Sequence, residues 1–483
     1  MAGLWTSTLL CSLLAVTLIQ ATLSPPAVLN IGPEVIKNQL TQELKDHNAT
    51  AILQHLPLLS TIRERPAGGI PLLGNMMNNI LKNIIWLKVT SASILQLQIQ
   101  PSDNNQELTV TIPLDMVAGF NTPLVKTIVE MHLETEAQAV IRMDSSSTHS
   151  THPTLSDCSI SHGSLRITLL HKLSFLVNPL ANTVRSLLMP ALPELLKTQL
   201  CPVIEATFND MYADFLRLLR PVFLNTHRLE FDFLSSAING DTIQVHLGAK
   251  LLDAQGNVTN RFSDSAASLT MPTLDSAPFS FTVRHDVVNA AVGALLPTEE
   301  LMILLDSVLP ELARQLKLDI QVINEKAANQ LSPTQIVKLL TLETPELLLS
   351  QNGAKLAQLV VFEVFPTNEA RRPLFTLGIE ASSEAQFYTK GDQLILNLNE
   401  ISSNRIQLMN SGIGLFEPEP LKDVIMEILL SVLLPNQNGK LRSGIPLSML
   451  KSLGFKAAEC SLTKDALVIT PASSENFGSP VSQ

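Results

Sequence analysis

Twice along this 483-residue chain the hydrophobic period changes from 3.6 residues to 2 and back. A chain that does this must pack helices against antiparallel sheet. In PEVIKNQLTQELKDHNATAIL, Val35, Ile36, Leu40 and Leu44 recur at helical spacing behind Pro33. A proline there costs little, because the first turn of a helix has no use for its missing N–H. The cluster RPAGGIPLLGN closes that region. In SILQLQIQPSDNNQELTVTIPLDM the apolar residues alternate instead: Leu95, Leu97 and Ile99, then Leu108, Val110, Ile112 and Leu114 beyond the polar turn Ser102 to Gln106. That is a β-hairpin whose loop is too long for the two-residue turn types. Residues 136–170 continue with two strand-like runs around a Ser/Thr/His loop.

From about Leu173 to Leu219 the helical period returns. Leu188, Leu192, Leu195, Leu196, Ile204, Phe208, Met211, Tyr212, Phe215 and Leu219 fall on one broad stripe. Pro190, Pro193 and Pro202 predict that this long helix is kinked or entered in stages. A second cycle follows. RLEFDF and DTIQVHLGAKLLDAQG read as strands, residues 253–278 as a polar connection, and EELMILLDSVLPELARQLKLDI as a helix. AKLAQLVVFEVFP and PLFTLGIEASSEAQFYTKGDQLILNLNEI read as strands turning at Lys390-Gly391-Asp392. EPLKDVIMEILLSVLLP is a late apolar helix and DALVIT a closing strand. The fold class is α+β, with each half running from an early helix through hairpins to a long late helix.

The length predicts two domains. Hydrophobic residues make up 45% of the chain but aromatics only 4%, so the apolar content is aliphatic. That suits a large core, or a core with an aliphatic cavity. Net charge is −11, with 15 basic and 18 acidic side chains over residues 22–240 and 18 and 26 over 241–483. Neither half offers the cationic surface that nucleic acid requires. The N-terminus MAGLWTSTLLCSLLAVTLIQATLS holds an apolar run of about a dozen residues ending at Ile19-Gln20-Ala21, too short to span a bilayer comfortably and next to small residues, which predicts a signal peptide cut after Ala21 and a secreted product. No later stretch reads as a transmembrane segment. Removing the signal also removes Cys11, leaving Cys158, Cys201 and Cys460: one internal bridge and one leftover thiol. Cys158 lies in the same half as Cys201, 43 residues upstream, and is its expected partner. The bridge would staple the long helix to the sheet. Cys460 is expected as a buried, inert thiol, the alternative being an exposed one that links two chains. Asn48-Ala49-Thr50 and Asn257-Val258-Thr259 are N-glycosylation sequons.

The order of elements, the cysteine spacing with LKTQLCPVIEATFN, and the closing GIPLSMLKSLGF and SLTKDALVIT resemble the bactericidal/permeability-increasing protein family. TQELKDHNATAIL, IPLDMVAGFNTPLVKTIVE and EASSEAQFYTKGDQLILNLN are similar to its long PLUNC branch, the BPI-fold-containing family B of airway and oral secretions. The resemblance implies a boomerang of two barrel domains, each a twisted antiparallel sheet plus a long helix, joined by a central antiparallel sheet. Residues 22–225 would form the first barrel, 226–280 the central sheet and linker, and 281–483 the second barrel. It also implies apolar tunnels that take the acyl chains of lipopolysaccharide or phospholipid, with Leu97, Val110, Leu196, Ile204, Phe208 and Met211 as pocket candidates. One departure matters. The bactericidal relative carries a lysine-rich tip, whereas the hairpin loops QPSDNNQE and RMDSSSTHSTHPTLSDC hold one basic residue, Arg142, against four acidic ones. Binding through acyl chains would therefore depend little on salt.

Nothing in the sequence points to catalysis. The elbow G-x-S-x-G, H-E-x-x-H and phosphate-loop motifs are absent. His149, His152 and His162 sit in a Ser/Thr-rich stretch and read as a solvated loop, so no metal and no cofactor is expected. The expected function is that of a secreted, non-enzymatic lipid-binding protein of mucosal fluid, and the family resemblance implies a role in innate immunity, binding lipopolysaccharide or a related amphiphile and modulating the host response. Candidate protein partners are mucins or a host receptor. The alternatives are a surface-active, mucus-associated protein and a phospholipid transfer protein.

Overall fold

The computed structural model describes residues 24–472 apart from 65–81, 83, 103–105, 123–124, 145–150, 162, 171–177, 264–268, 270–273, 275–276, 332–333, 352 and 367–371. The expected signal peptide and the RPAGGIPLLGN cluster lie outside the described residues. The chain forms two compact units. The first comprises residues 30–218 and 234–245; the second comprises the stretch up to Leu29, residues 219–233, and the chain from His246 onward.

After β1 (Ala27–Ile31) the chain enters three helices, Pro33–Asp46, Ala49–Gln54 and Leu58–Glu64. Val35, Ile36, Leu40 and Leu44 are the buried residues of the first helix, and Pro33 opens it. Six strands follow: β2 (Trp86–Ile94), β3 (Gln98–Pro101), β4 (Glu107–Thr122), β5 (Val125–Asp144), β6 (His152–Ile160) and β7 (Arg166–Leu169). They form the antiparallel sheet β2-β4-β5-β6, with β3 also on β4 and β7 also on β5. β4 and β5 run 16 and 20 residues. Register shifts at Val89/Ser91, Phe120/Thr122 and Val140/Ile141 add local twist, which curls so long a sheet. Alternation puts Leu108, Val110, Ile112 and Leu114 of β4 on the buried face. Their cross-strand partners on β5 are Ile141, Ala139, Ala137 and Thr135, small at the centre.

The long helix, Asn178–Arg217, packs on this sheet and runs 40 residues without a break, about 60 Å at 1.5 Å per residue. Of the two outcomes expected from its three prolines, a kink or a staged entry, the staged entry is not what forms. Each proline deprives the carbonyl four residues earlier of a donor, here on Ser186, Met189 and Thr198. All three residues are exposed, so water can take those carbonyls and the helix continues. Its buried stripe includes Leu188, Leu192, Leu196, Ile204, Phe208, Met211 and Phe215.

Next along the chain come β8 (Val222–Leu224), β9 (His227–Asn239), β10 (Thr242–Leu252), β11 (Val258–Phe262) and β12 (Phe279–Arg284), of which residues 234–245 belong to the first unit. A sheet of order β20-β21-β12-β1-β10-β9-β8, with β11 beside β10, includes the closing strands β20 (Ala458–Leu462) and β21 (Ala466–Pro471). The second unit has a further sheet, β13 (Glu300–Leu304), β14 (Ile336–Thr341), β16 (Gly353–Phe365), β17 (Phe375–Lys390), β18 (Gln393–Ser411) and β19 (Ile445–Pro446) in that order, with β15 (Glu346–Ser350) on β16. β17 and β18 turn through Gly391, whose φ of +63° suits a two-residue hairpin. Two expectations are corrected. Glu300–Leu304 is a strand paired with β14, and the helix starts only beyond it. Val258–Phe262, expected within a connection, pairs with β10. A further helix, His285–Leu295, for which there was no expectation, follows directly on β12.

The core of this unit is filled by side chains. Leu316 and Ile320 of the helix Pro310–Ile323 meet Leu339, Val360, Phe362 and Leu377 of the sheet. Ile425, Ile428, Leu429 and Leu433 come from the late helix, which passes from Lys422–Ile428 through a wide π-helical turn, Leu429–Leu433, into Leu434–Leu441. The wide turn ends beside Pro435, which has no N–H to close a regular one. Deeper along, the buried side-chain amides of Gln358 and Gln437 exchange hydrogen bonds of 2.7 and 3.3 Å.

Candidate functional site

In the first unit, the first helix and the long helix lie over the curled sheet and enclose an apolar cavity. Leu40 and Leu44 reach it from the first helix, and Ile204, Thr207 and Phe208 from the long helix. The sheet side supplies Leu97, Val110, Ile112, Ala139, Ile141 and Leu155. The i, i+4 spacing of Leu40 and Leu44, and of Ile204 and Phe208, puts each pair on one helix face. Period-2 alternation does the same for Val110 with Ile112 and Ala139 with Ile141. Only about 10 Å³ is left open between them, about one water's worth. The walls are in contact, so a guest must part the helices from the sheet.

Of the six pocket candidates, Leu97, Val110, Ile204 and Phe208 come together in this lining. Leu196 and Met211 do not. Both are fully buried on the long helix, but their place is in the surrounding core. The lining residues that were not among the candidates are Leu40, Leu44, Ile112, Thr207, Ala139 and Ile141 of β5, and Leu155 of β6. Leu40 and Leu44 carried a visible helical spacing, but nothing in the sequence said what that face meets.

Cys158 on β6 is disulfide-bonded to Cys201 on the long helix, with Cα atoms 5.8 Å apart. Leu155 and Ile204, each three residues from a bridged cysteine, both line the cavity. The bond therefore fixes helix to sheet beside the space a guest would widen. Cys460 on β20 is free and half-buried, and burial raises its thiol pKa above the ordinary value. A thiol held protonated is a poor nucleophile.

The charge around the site is largely acidic. Arg142, the one basic residue of the two hairpin loops, is tied across the β4–β5 register to Glu107, Nη2 to Oε1 2.5 Å. Over the outer side of the helices, Glu43, His47 and Asp210 bring one ligand atom each within 4.8 Å of one another. His47 Nε2 lies 2.8 Å from Asp210 Oδ2. Burial raises the Glu43 pKa, as do Asp214, Asp46 and Asp210 around it, and His47 opposes them. This group is not among the histidines singled out in the sequence, and its signal there is the acid and histidine four apart in ELKDH. Of those later histidines, His152 begins β6, and His149 and His162 lie outside the described residues. The sequons place Asn48 exposed at the head of the helix Ala49–Gln54 and Asn257 exposed in the turn before β11. The side-chain amide of Asn257 donates to Asp253 Oδ2 at 3.1 Å.

Two open clefts in the second unit are of different chemistry. One, about 590 Å³, is lined by Lys390, Asp392, Asn397, Asn438 and Arg442 among others; the second, about 280 Å³, includes Glu343, Glu346, Gln358 and Glu380. Neither resembles the aliphatic slot of the first unit. Among the described residues, no helix is long and apolar enough to cross a membrane.

Residues 43–211 match the N-terminal domain of the LBP / BPI / CETP family, and residues 268–471 its C-terminal domain. The chain is 70% identical over 484 residues to human BPI fold-containing family B member 1, covering all of both chains. The mouse protein of that name is 57% identical over 475 residues, 98% of this chain and 100% of the other. Among solved structures, the crystal structure of lipopolysaccharide binding protein superposes with a TM-score of 0.53 at 15% identity, covering 93% of this chain and 98% of that one. At that identity the likeness speaks for the fold alone.

Proposed function

The chain belongs to the LBP / BPI / CETP family, in its BPI-fold-containing family B branch, and from that membership we propose that it is a secreted protein of mucosal, including airway, fluid that holds the acyl chains of bacterial lipopolysaccharide or a related phospholipid-like amphiphile. Membership makes it a lipid-binding protein of the innate-immunity type; the ligand and the place of action are the proposal. The observation that carries it is the cavity between helices and sheet, where ten of eleven lining residues are apolar. Acyl burial contributes about 0.8 kcal/mol per CH₂, so a chain of a dozen carbons supplies the affinity without a charge inside the slot. The headgroup stays outside, and the host response is modulated by withholding the acyl chains from other receptors. Asn48 and Asn257 are the proposed glycan sites, and mucins or a host receptor the proposed protein partners.

Native mass spectrometry of protein purified from secretion, with the released lipid identified, tests this reading. The expected result is a stoichiometric acylated amphiphile that the delipidated protein takes up again. Protein that carries none and takes up none contradicts it. Fast exchange of labelled phospholipid between vesicles would point instead to transfer, and a strong fall in surface tension without selective capture to a surface-active role.

A further inference from the structure

Thr207 is the one polar residue in the lining of the cavity. It is fully buried, and its Oγ1 has no hydrogen-bond partner among the described residues. Other threonines of the same helix behave differently. Thr183 Oγ1 donates to the carbonyl of Pro179 at 2.9 Å, and Thr198 Oγ1 to that of Glu194 at 2.8 Å, each four residues back. This is how a helical threonine ordinarily satisfies its hydroxyl. Thr207 does not do so. Thr122, Ser280, Thr282 and Ser383 also bury unpartnered hydroxyls, but they lie on strands and do not line this space.

A valine would fill the position with the same shape and no unmet hydrogen bond, so the hydroxyl weakens the closed state. A lone water does not repair it. The open space is about one water in size, yet a buried water needs two to four polar partners, and the lining offers one. What the site lacks is a hydrogen-bonding oxygen carried in on an otherwise apolar guest.

We propose that Thr207 is a specificity residue that selects, among acyl chains entering the slot, those bearing an oxygen substituent along the chain. The inference rests on the acyl-binding reading above and deepens it. The ligand class is an amphiphile with a hydroxylated or acyloxylated chain, its oxygen held by the Thr207 hydroxyl while the flanking methylenes lie against Ile204, Phe208, Val110 and Ala139. One net hydrogen bond corresponds to a preference of about 3- to 10-fold over the plain chain.

The test is competition binding of stearic acid and a positional series of hydroxystearic acids to the full-length delipidated protein. Wild type should bind at least one hydroxy isomer about 3- to 10-fold tighter than stearic acid. Thr207→Val should bind stearic acid at least as well and lose the preference. Thr207→Ser, which keeps the hydroxyl, should retain it, and Thr198→Val, altering an exposed threonine of the same helix, should change nothing. Equal binding of all chains by wild type, or a preference that survives in Thr207→Val, overturns the proposal and leaves acyl binding standing. Failure of every chain to bind wild type overturns the acyl-binding reading and this proposal with it.

Discussion

Ala139 shows at the scale of one side chain how the slot is kept. It stands across from Val110 in the β4–β5 register, where its small side chain leaves the space that the cavity retains. Ala139→Leu is expected to fill that space, costing about 1–3 kcal/mol of stability through overpacking and abolishing uptake of a fluorescent fatty acid. Leu196→Ala, in the core beyond the lining, is expected to cost about 2–5 kcal/mol and to leave uptake intact. Stability and binding thus part company at two buried sites, which thermal unfolding and probe titration check together. Glu43 gives a pH signature. Its pKa is raised in the folded protein, so the native state favours the protonated form. That contribution is present at low pH and is lost as pH rises through the raised value. Glu43→Gln should therefore raise the unfolding midpoint slightly at neutral pH, with the gain fading toward the ordinary glutamate range. Much of this scale was hidden in the sequence. The stripe on the long helix named Leu196, Ile204, Phe208 and Met211 as equals, and only the facing sheet separates the two that line the cavity from the two that do not. Thr207 gave no signal beyond a polar residue among apolar ones.

Among elements, the long helix is pinned covalently at one point by Cys158–Cys201, and it is held besides by its apolar stripe and by side-chain contacts of Asp210 with His47 and Tyr212 with Ser236. The bridge closes a separation of 43 residues, worth about 4 kcal/mol in the chain-entropy picture. The double variant Cys158→Ser/Cys201→Ser should lower the unfolding midpoint accordingly and speed release of a bound acyl probe, because the helix can then lift along its whole length. Unchanged release would mean that the guest leaves by a path the bridge does not limit. Elements with a long, clean period are legible in the sequence. Val35, Ile36, Leu40 and Leu44 are the buried face of the first helix, and Leu108 to Leu114 alternate as buried strand positions. Short or unpunctuated elements are not. ELMIL is too brief for period to separate strand from helix, and tertiary pairing with β14 decides it. The helix His285–Leu295 leaves β12 without a glycine, a proline or a side-chain cap to announce it.

At the scale of the whole molecule, the net charge of −11 and the pairing of Arg142 with Glu107 leave no concentrated cationic surface on the described hairpins. Lipopolysaccharide affinity should therefore change by less than about threefold between roughly 50 and 200 mM salt. A steep loss in a filter-binding or calorimetric titration would show phosphate contacts to be dominant. The two-unit family fold was legible because aliphatic period, cysteine placement and element order all agreed. Which unit keeps a slot was not, since both halves carry long apolar helices, and only packing distinguishes the aliphatic cavity of one from the filled core and Gln358–Gln437 pair of the other. The most direct measurement is photolabelling of the delipidated protein with a diazirine-bearing fatty acid, followed by peptide mapping of the adducts. Labels should fall on Leu40, Leu44, Leu97 and the Ile204–Phe208 turn and be displaced by unlabelled lipid. Saturable labelling confined to other surfaces, or none at all, would contradict an acyl slot between the long helix and the sheet.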